Sequence, residues 1–360
     1  MSESQTIRQP SAPDNEKRVG SMRKITLEEH FITADLLKHR EVMKRDGLFV
    51  AANPGSMGVD KNAIPDPVIP DVMQRGLEVG EKRIQMMDRN GIDMQILSYS
   101  APGVQMLADA AEATRTARAT NDFLAETVAK HPSRFAGWAT IATQAPEAAA
   151  DELERAVTEL GFKGAMINGH ARGEYLDQDK FRVIFERAEA LDVPLYLHPT
   201  VIPQTLAKYL EGAPDLYDAA WGFAVDTTTH ALRIMLSGVL DAYPKTTIVL
   251  GHMGELLLAH LWRLDNRFQR SPLVRKEKLL PSEYVKNNFM LTTSGMFSHA
   301  ALQHAIAVMG ADRVMFSVDY PYELMEEGVS FIDTAPISET DRALICYQNA
   351  QRLLKLPAFA

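Results

Sequence analysis

The chain has 360 residues, a net charge of −9 and one cysteine, Cys346. Its basic residues are scattered, which argues against nucleic acid or an anionic membrane as the main partner. A single cysteine excludes an internal disulfide and a cysteine-based zinc cluster, no apolar run reaches membrane-span length, and a cytoplasmic setting is expected.

Residues 1–22 are polar, lack the apolar core of a signal peptide and read as a disordered tail; residues 23–360 read as one domain. Apolar strand-like runs then alternate with helical periodicity. The predicted strands are Lys24–Glu29, Asp93–Tyr99, Phe135–Ile141, Lys163–Asn168, Pro194–His198, Thr247–His252, Phe289–Ser294 and Val314–Asp319. The predicted helices cover 80–90, 108–131, 145–160, 178–191, 222–241, 254–270, 298–309 and 338–354. Strands apolar on both faces suit a parallel sheet covered by helices. Eight strand–helix units predict an α/β fold, a (β/α)8 TIM-type barrel. A doubly wound open sheet is the alternative. Long inserts follow strand one (31–79) and strand five (199–221), and both are expected at the C-terminal mouth, as substrate walls or subunit contacts.

Polar residues end several of these strands. Glu28 and His30 are two apart, so on a strand they share a face. His198 ends strand five and Asp319 ends strand eight. A barrel brings these ends to one mouth, where two carboxylates and two imidazoles suit a divalent ion such as zinc, manganese(II) or iron(II). Taken singly, each residue has an ordinary structural explanation; together, at equivalent strand ends, they read as a metal site. Strand four ends at Asn168-Gly169, and Lys163 lies at its far end, so the bridging lysine of two-metal barrels is missing and one metal is expected. Glu29, between the pair, should point away and serve as an in-sequence control.

After strand six comes Gly251-His252-Met253-Gly254-Glu255. With a helix starting near Met253, Glu255 falls in its first turn, favoured by the helix dipole, and within reach of the His252 ring. A helix cap beside a buried histidine is the plainer alternative. Arg263 and Asp265 reach a substrate carboxylate or pair with each other. Thr293, in Thr292-Thr293-Ser294-Gly295, and Tyr322 are candidate substrate contacts, with Tyr320 a further aromatic surface. His230 reads as a packed histidine, His170 as undecided, and His39, His131, His260, His299 and His304 as solvated.

The set Leu27-Glu28-Glu29-His30-Phe31, Ile96-Leu97-Ser98-Tyr99-Ser100-Ala101-Pro102-Gly103-Val104-Gln105, Leu197-His198-Pro199, Gly251-His252-Met253-Gly254-Glu255, Thr292-Thr293-Ser294-Gly295 and Phe316-Ser317-Val318-Asp319-Tyr320-Pro321 resembles the amidohydrolase-related decarboxylases, in particular those acting on γ-resorcylate and 2,3-dihydroxybenzoate. The resemblance covers about residues 23–355. It implies a non-oxidative, metal-dependent decarboxylase of an ortho-hydroxybenzoate-type acid, with one divalent metal, zinc or manganese(II), on Glu28, His30, His198 and Asp319. It implies His252 and Glu255 as catalytic partners and a homotetramer or homodimer. Thr200-Val201-Ile202-Pro203 stands where close relatives carry an arginine and an Asn-Pro segment, which leaves the exact acid open. The proton donor is Asp319 or His252. The competing enzyme reading is single-metal hydrolysis of an ester, lactone or amide on the same barrel.

Overall fold

The computed structural model describes residues 22–45, 72–275 and 277–358. The N-terminal tail and the middle of the insert after strand one fall outside them. The strands are β1 (Ile25–Phe31), β2 (Met94–Tyr99), β3 (Phe135–Gly137), β4 (Ala139–Thr140), β5 (Ala165–Asn168), β6 (Leu195–His198), β7 (Ile248–Leu250), β8 (Phe289–Thr292) and β9 (Val314–Met315). All pairings are parallel and sequential, β1-β2-β3 in one sheet and β4 to β9 in the other. The predicted third strand is therefore two short pieces, parted at Trp138, whose N–H turns to the Leu97 carbonyl (2.9 Å). At the other seam, His30 N–H donates to the Tyr320 carbonyl (2.6 Å) and Asp319 N–H to the Glu28 carbonyl (3.0 Å), joining β1 to the segment after β9. Strand order never reverses, so the switch point that a doubly wound sheet requires is missing and the sheet is a barrel.

Alternation along the strands sorts side chains into two cores. Ile25, Leu27, Ile96, Trp138, Met166, Tyr196, Val249, Met290 and Met315 fill the barrel interior. Residues of opposite parity, such as Leu97, Ile167, Leu197, Leu250, Leu291 and Phe316, pack against the surrounding helices. Trp138 is fully buried and its indole N–H donates across the interior to the Leu27 carbonyl (2.7 Å). Truncating such a residue to alanine costs about 3–5 kcal/mol.

The helices keep to their predicted places where capping is strong. Asp109 caps Ala110–Lys130 and Ser298 caps His299–Met309. Two predictions change. The helix placed at 254–270 begins only at Leu261, after tight turns. The last helix holds a π segment, Leu344–Gln348, whose widened turn leaves the Ile345 carbonyl free to accept Phe316 N–H (2.8 Å). Short helices Ala34–Arg45, Val72–Leu77, Gln204–Tyr209, Pro281–Asn288 and Met325–Thr334 were not expected.

Candidate metal centre and active site

Inward parity on β1 runs Ile25, Leu27 and would then reach Glu29. Instead β1 carries two residues, Leu27 and Glu28, opposite the single Ile96 of β2: Thr26 pairs Gln95 and Glu29 already pairs Leu97. This bulge shifts the alternation by one. Glu28 and His30 turn to the mouth, and Glu29 turns to the helix side. The bulged N–H groups of Leu27 and Glu28 both donate to the Ser317 hydroxyl, at 3.2 and 2.6 Å. Ser317 in turn donates to Glu29 Oε1 (3.3 Å), which also accepts Val318 N–H (3.0 Å), while Glu29 Oε2 accepts from Gln95 (3.1 Å).

At the mouth, ligand atoms of Glu28, His30, His198 and Asp319 lie within 4.8 Å of one another. His30 Nε2 is 3.1 Å from Asp319 Oδ1 and 3.8 Å from Glu28 Oε1, and His198 Nε2 is 3.2 Å from Glu28 Oε1. Glu28 Oε1, His30 Nε2 and Asp319 Oδ1 are buried without a hydrogen-bond partner. Three such atoms at one point are costly unless one cation satisfies them together. Each ligand is oriented from behind. His198 Nδ1 donates to the Pro199 carbonyl (2.7 Å), so Nε2 carries the lone pair, and His30 Nδ1 meets Ser98 Oγ (3.0 Å). Glu28 Oε2 accepts from Tyr196 and from Ser294 (2.5 Å), leaving Oε1 for the metal. Gly251 is needed here, since a Cβ would stand 2.5 Å from Glu28 Oε2. The residues present therefore fit one divalent ion, and the strand-four end, Asn168, adds no bridging lysine.

Burial alone would raise the Glu28 carboxyl, but the charge of His252 and bonds from His198 and His30 hold it well below the usual carboxylate range. Burial likewise lowers His30, yet Asp319 and Glu28 bring it up to about 10. The carboxylates demand positive charge at this point.

His252 stands beside the ligand set, its Nε2 at 3.4 Å from Glu28 Oε1 and 3.6 Å from Asp319 Oδ2. Its Nδ1 is 2.7 Å from Glu255 Oε1. The pairing is as expected but its cause is different. No α-helix begins here; His252 (φ 49°), Met253 (φ 60°) and Glu255 (φ 56°) are left-handed, and so is Asp319 (φ 80°). Strained backbone of this kind is held only where surroundings over-determine it. Burial lowers His252, while Glu255 and Glu28 outweigh that and hold it well above an ordinary imidazole.

The centre opens into a cavity of about 660 Å³. His198, His252, Glu255 and Asp319 reach it on one side, Arg40, Tyr322 and Glu323 on another, and Trp221, Phe223, Leu256 and Met296 form an apolar wall. The insert after strand five thus supplies a cavity wall. Tyr322 lines it, with its ring 5.7 Å from that of His30.

Two expected substrate contacts are corrected. Thr293 is buried and its hydroxyl ties β8 to the strand-eight segment, donating to the Ser317 carbonyl (2.8 Å) and accepting Ser317 N–H (3.0 Å). Arg263 is exposed on helix Leu261–Gln269 and does not line this cavity, because the late helix start carries it to the surface. Asp265 accepts Ser282 N–H instead of pairing with Arg263. Tyr320 is buried beneath Arg83, with the guanidinium 4.5 Å from its ring centre. His230 is packed as expected, accepting Leu176 N–H (2.9 Å), and His170 accepts Gly173 N–H (2.9 Å) behind the cavity wall. His39 and His299 are partly buried and partnered, by Glu112 and the Phe331 carbonyl, so they are not simply solvated. Sequence reasoning missed Tyr196, Ser317 and Arg40, and it placed Ser294 in a pocket-lining segment without foreseeing its bond to Glu28. Tyr196 and Ser294 share inward parity with His198 and Thr292, which was the available signal.

The amidohydrolase family matches residues 41–356. The chain belongs to the amidohydrolase family. Glu28 and His30 lie just ahead of the matched range. Among its relatives is a γ-resorcylate decarboxylase of Polaromonas sp., 41% identical, with 92% of this chain and 98% of that protein covered. A solved dihydroxybenzoic acid decarboxylase from Polaromonas sp., with bound manganese and the inhibitor 2-nitroresorcinol, superposes with a TM-score of 0.82 at 40% identity, covering 93% and 97%. A 5-carboxyvanillate decarboxylase from Sphingomonas paucimobilis gives 0.85 at 39%, covering 94% and 100%. The expected barrel, decarboxylase family and single metal centre are borne out, and this amidohydrolase-family chain is a metal-dependent carboxy-lyase.

Proposed function

We propose that this amidohydrolase-family enzyme removes carbon dioxide from an ortho-hydroxybenzoate-type acid of the dihydroxybenzoate kind, with manganese(II) or zinc on Glu28, His30, His198 and Asp319. The observation that carries the reading is the convergence of three orphaned buried ligand atoms at the floor of a cavity with one apolar wall, beside a histidine held by a carboxylate. A divalent ion there supplies Lewis acidity towards a carboxylate and its ortho oxygen.

The chain's own residues provide the rest. Trp221, Phe223, Leu256 and Met296 hold the ring and exclude water. Loss of carbon dioxide needs a proton on the carbon that bears the carboxyl. The C–C bond then breaks, its electrons stay with the ring, and aromaticity returns. Asp319 in its protonated form delivers that proton and is left as a carboxylate; the imidazolium of His252, oriented by Glu255 and 3.6 Å from Asp319 Oδ2, returns a proton to it and is itself recharged from solvent. The enzyme acts as a homodimer or homotetramer in the cytoplasm. Trp262 and Leu273, each 75% exposed, and fully exposed Val274 support association, since large apolar side chains in one exposed segment favour a covered face. No helix among the described residues is long and apolar enough to cross a membrane.

The test is a panel of hydroxybenzoates and related aromatic acids, with carbon dioxide release and metal content measured on one sample. Carbon dioxide release from ortho-hydroxy acids in proportion to bound metal is expected. Acid release from lactones or esters without decarboxylation would replace the proposal by hydrolysis.

A further inference from the structure

Arg40 lies on helix Ala34–Arg45, directly after β1, and lines the cavity. Beside His198 and His252 near the metal centre, the other acid or base side chains lining the cavity are Asp218, Glu255, Asp319 and Glu323, all carboxylic. Among the described residues no carboxylate pairs with Arg40. Its Nη2 donates to Tyr322 Oη (3.0 Å), Ser100 Oγ (3.2 Å) and the Ala101 carbonyl, all neutral acceptors. Among the described residues, Nη1 reaches only the Met73 sulfur (3.4 Å), and Nε is buried without a partner. A partly buried guanidinium that meets no counter-charge among the described residues is expensive as structure alone.

We propose that Arg40 anchors a second ring oxygen of the substrate, a hydroxyl or phenolate, away from the end held at the metal site. This rests on the decarboxylase reading above. Tyr322 sets the scale: it joins Arg40 to the ring of His30, so the guanidinium stands about one aromatic ring from the metal ligands. Ser100 Oγ and Tyr322 Oη, 2.5 Å apart, form a hydroxyl pair beside it. Recognising a second carboxylate would call for a bidentate fork that includes Nη2. Nη2 is already committed to three acceptors, which leaves single N–H groups suited to one oxygen. The apolar wall of Trp221, Phe223, Leu256 and Met296 presents no second cation. The inferred class is therefore dihydroxybenzoates over acids with a second ring carboxylate.

Steady-state kinetics of metal-loaded enzyme on 2-hydroxybenzoate, 2,6-dihydroxybenzoate and 4-hydroxyisophthalate test this, alongside calorimetric binding of resorcinol and phenol. The wild type should prefer the dihydroxy acid, and R40Q should raise its KM about 10- to 100-fold while moving that of 2-hydroxybenzoate less than about 3-fold. R40K should restore part of the difference. An equal loss on both acids would show that Arg40 merely holds Tyr322, and no loss, or a wild-type preference for the dicarboxylate, overturns the proposal as well. If no acid is turned over, the decarboxylase reading fails by itself. Arg40 is then decided by binding: tighter resorcinol than phenol, lost in R40Q, supports the anchor, and equal affinities overturn it. The wild-type comparison needs no variant, so misfolding of R40Q leaves the outcome decidable.

Discussion

The Ser317 hydroxyl accepts the backbone N–H of Glu28 at 2.6 Å, and it accepts that of Leu27 as well. One side chain from the last strand segment thus holds the bulge that aims the first metal ligand. Removing it leaves two buried N–H groups without an acceptor, at a cost of about 1–3 kcal/mol each if unrelieved. Ser317→Ala should therefore lower the melting temperature and weaken metal affinity about 10- to 100-fold, as loss of a ligand's support typically does. Metal titration and thermal melts check both. Unchanged affinity would mean that β1 holds its bulge unaided.

Glu28 and Glu29 provide a matched pair. Glu28→Gln takes a charged ligand from the centre and should abolish stoichiometric metal binding. Glu29→Gln should leave metal content near wild type. Its amide must place a donor against Gln95 or Val318, where Glu29 now accepts bonds, so it should instead cost about 1–3 kcal/mol of stability. Metal analysis and denaturant unfolding of the two proteins separate these effects, and metal loss in Glu29→Gln would contradict the assignment of faces.

Asp319 lies between His30 and His252. Asp319→Asn keeps an oxygen ligand but cannot carry the proton. Turnover should fall about 10²- to 10⁴-fold, the usual weight of a general acid, with some metal still bound. Full activity in that variant would end the proposed role.

Behind the cavity wall, Asp226 accepts the Tyr175 hydroxyl at 2.5 Å, and burial raises its carboxyl to about 6 from an ordinary 3.8. A raised carboxyl means that the folded state holds the proton more tightly. Stability should therefore fall as pH rises from about 4 to about 6, with the full penalty present above that. Asp226→Asn keeps an acceptor for Tyr175 and cannot ionise, so its advantage over wild type should grow by about 2 kcal/mol between pH 4 and pH 7. Denaturant midpoints at the two pH values measure this, and a constant difference would refute it.

Much of this architecture was legible without coordinates. Continuous apolar runs with helical stretches between them specified eight strand positions, and the parallel barrel follows because strands apolar on both faces need helices on the outside. Glu28, His30, His198, His252 and Asp319 were legible for the same reason, since each ends a strand and a barrel gathers its strand ends at one mouth. Substrate contacts were less so. Arg263 and Thr293 have suitable chemistry, but a helix that starts at Leu261 exposes the first, and a hydroxyl bridge to Ser317 uses up the second.

The sequence by itself determined the strand–helix alternation and the residue types of the metal centre, because side-chain periodicity and ligand chemistry are local properties. The sequence pairs Glu28 with His30 and turns Glu29 away, but only the tertiary structure shows what sends that pair, and not Glu29, to the inward face. Strict alternation from Leu27 would have aimed the wrong carboxylate inward. The bulge that corrects it depends on Ser317, almost three hundred residues away along the chain and 2.6 Å away in space. The same holds for His252 and Glu255, which meet through left-handed backbone that no helical pattern encodes, and for Arg40, whose neutral acceptors among the described residues show only when its neighbours are in place.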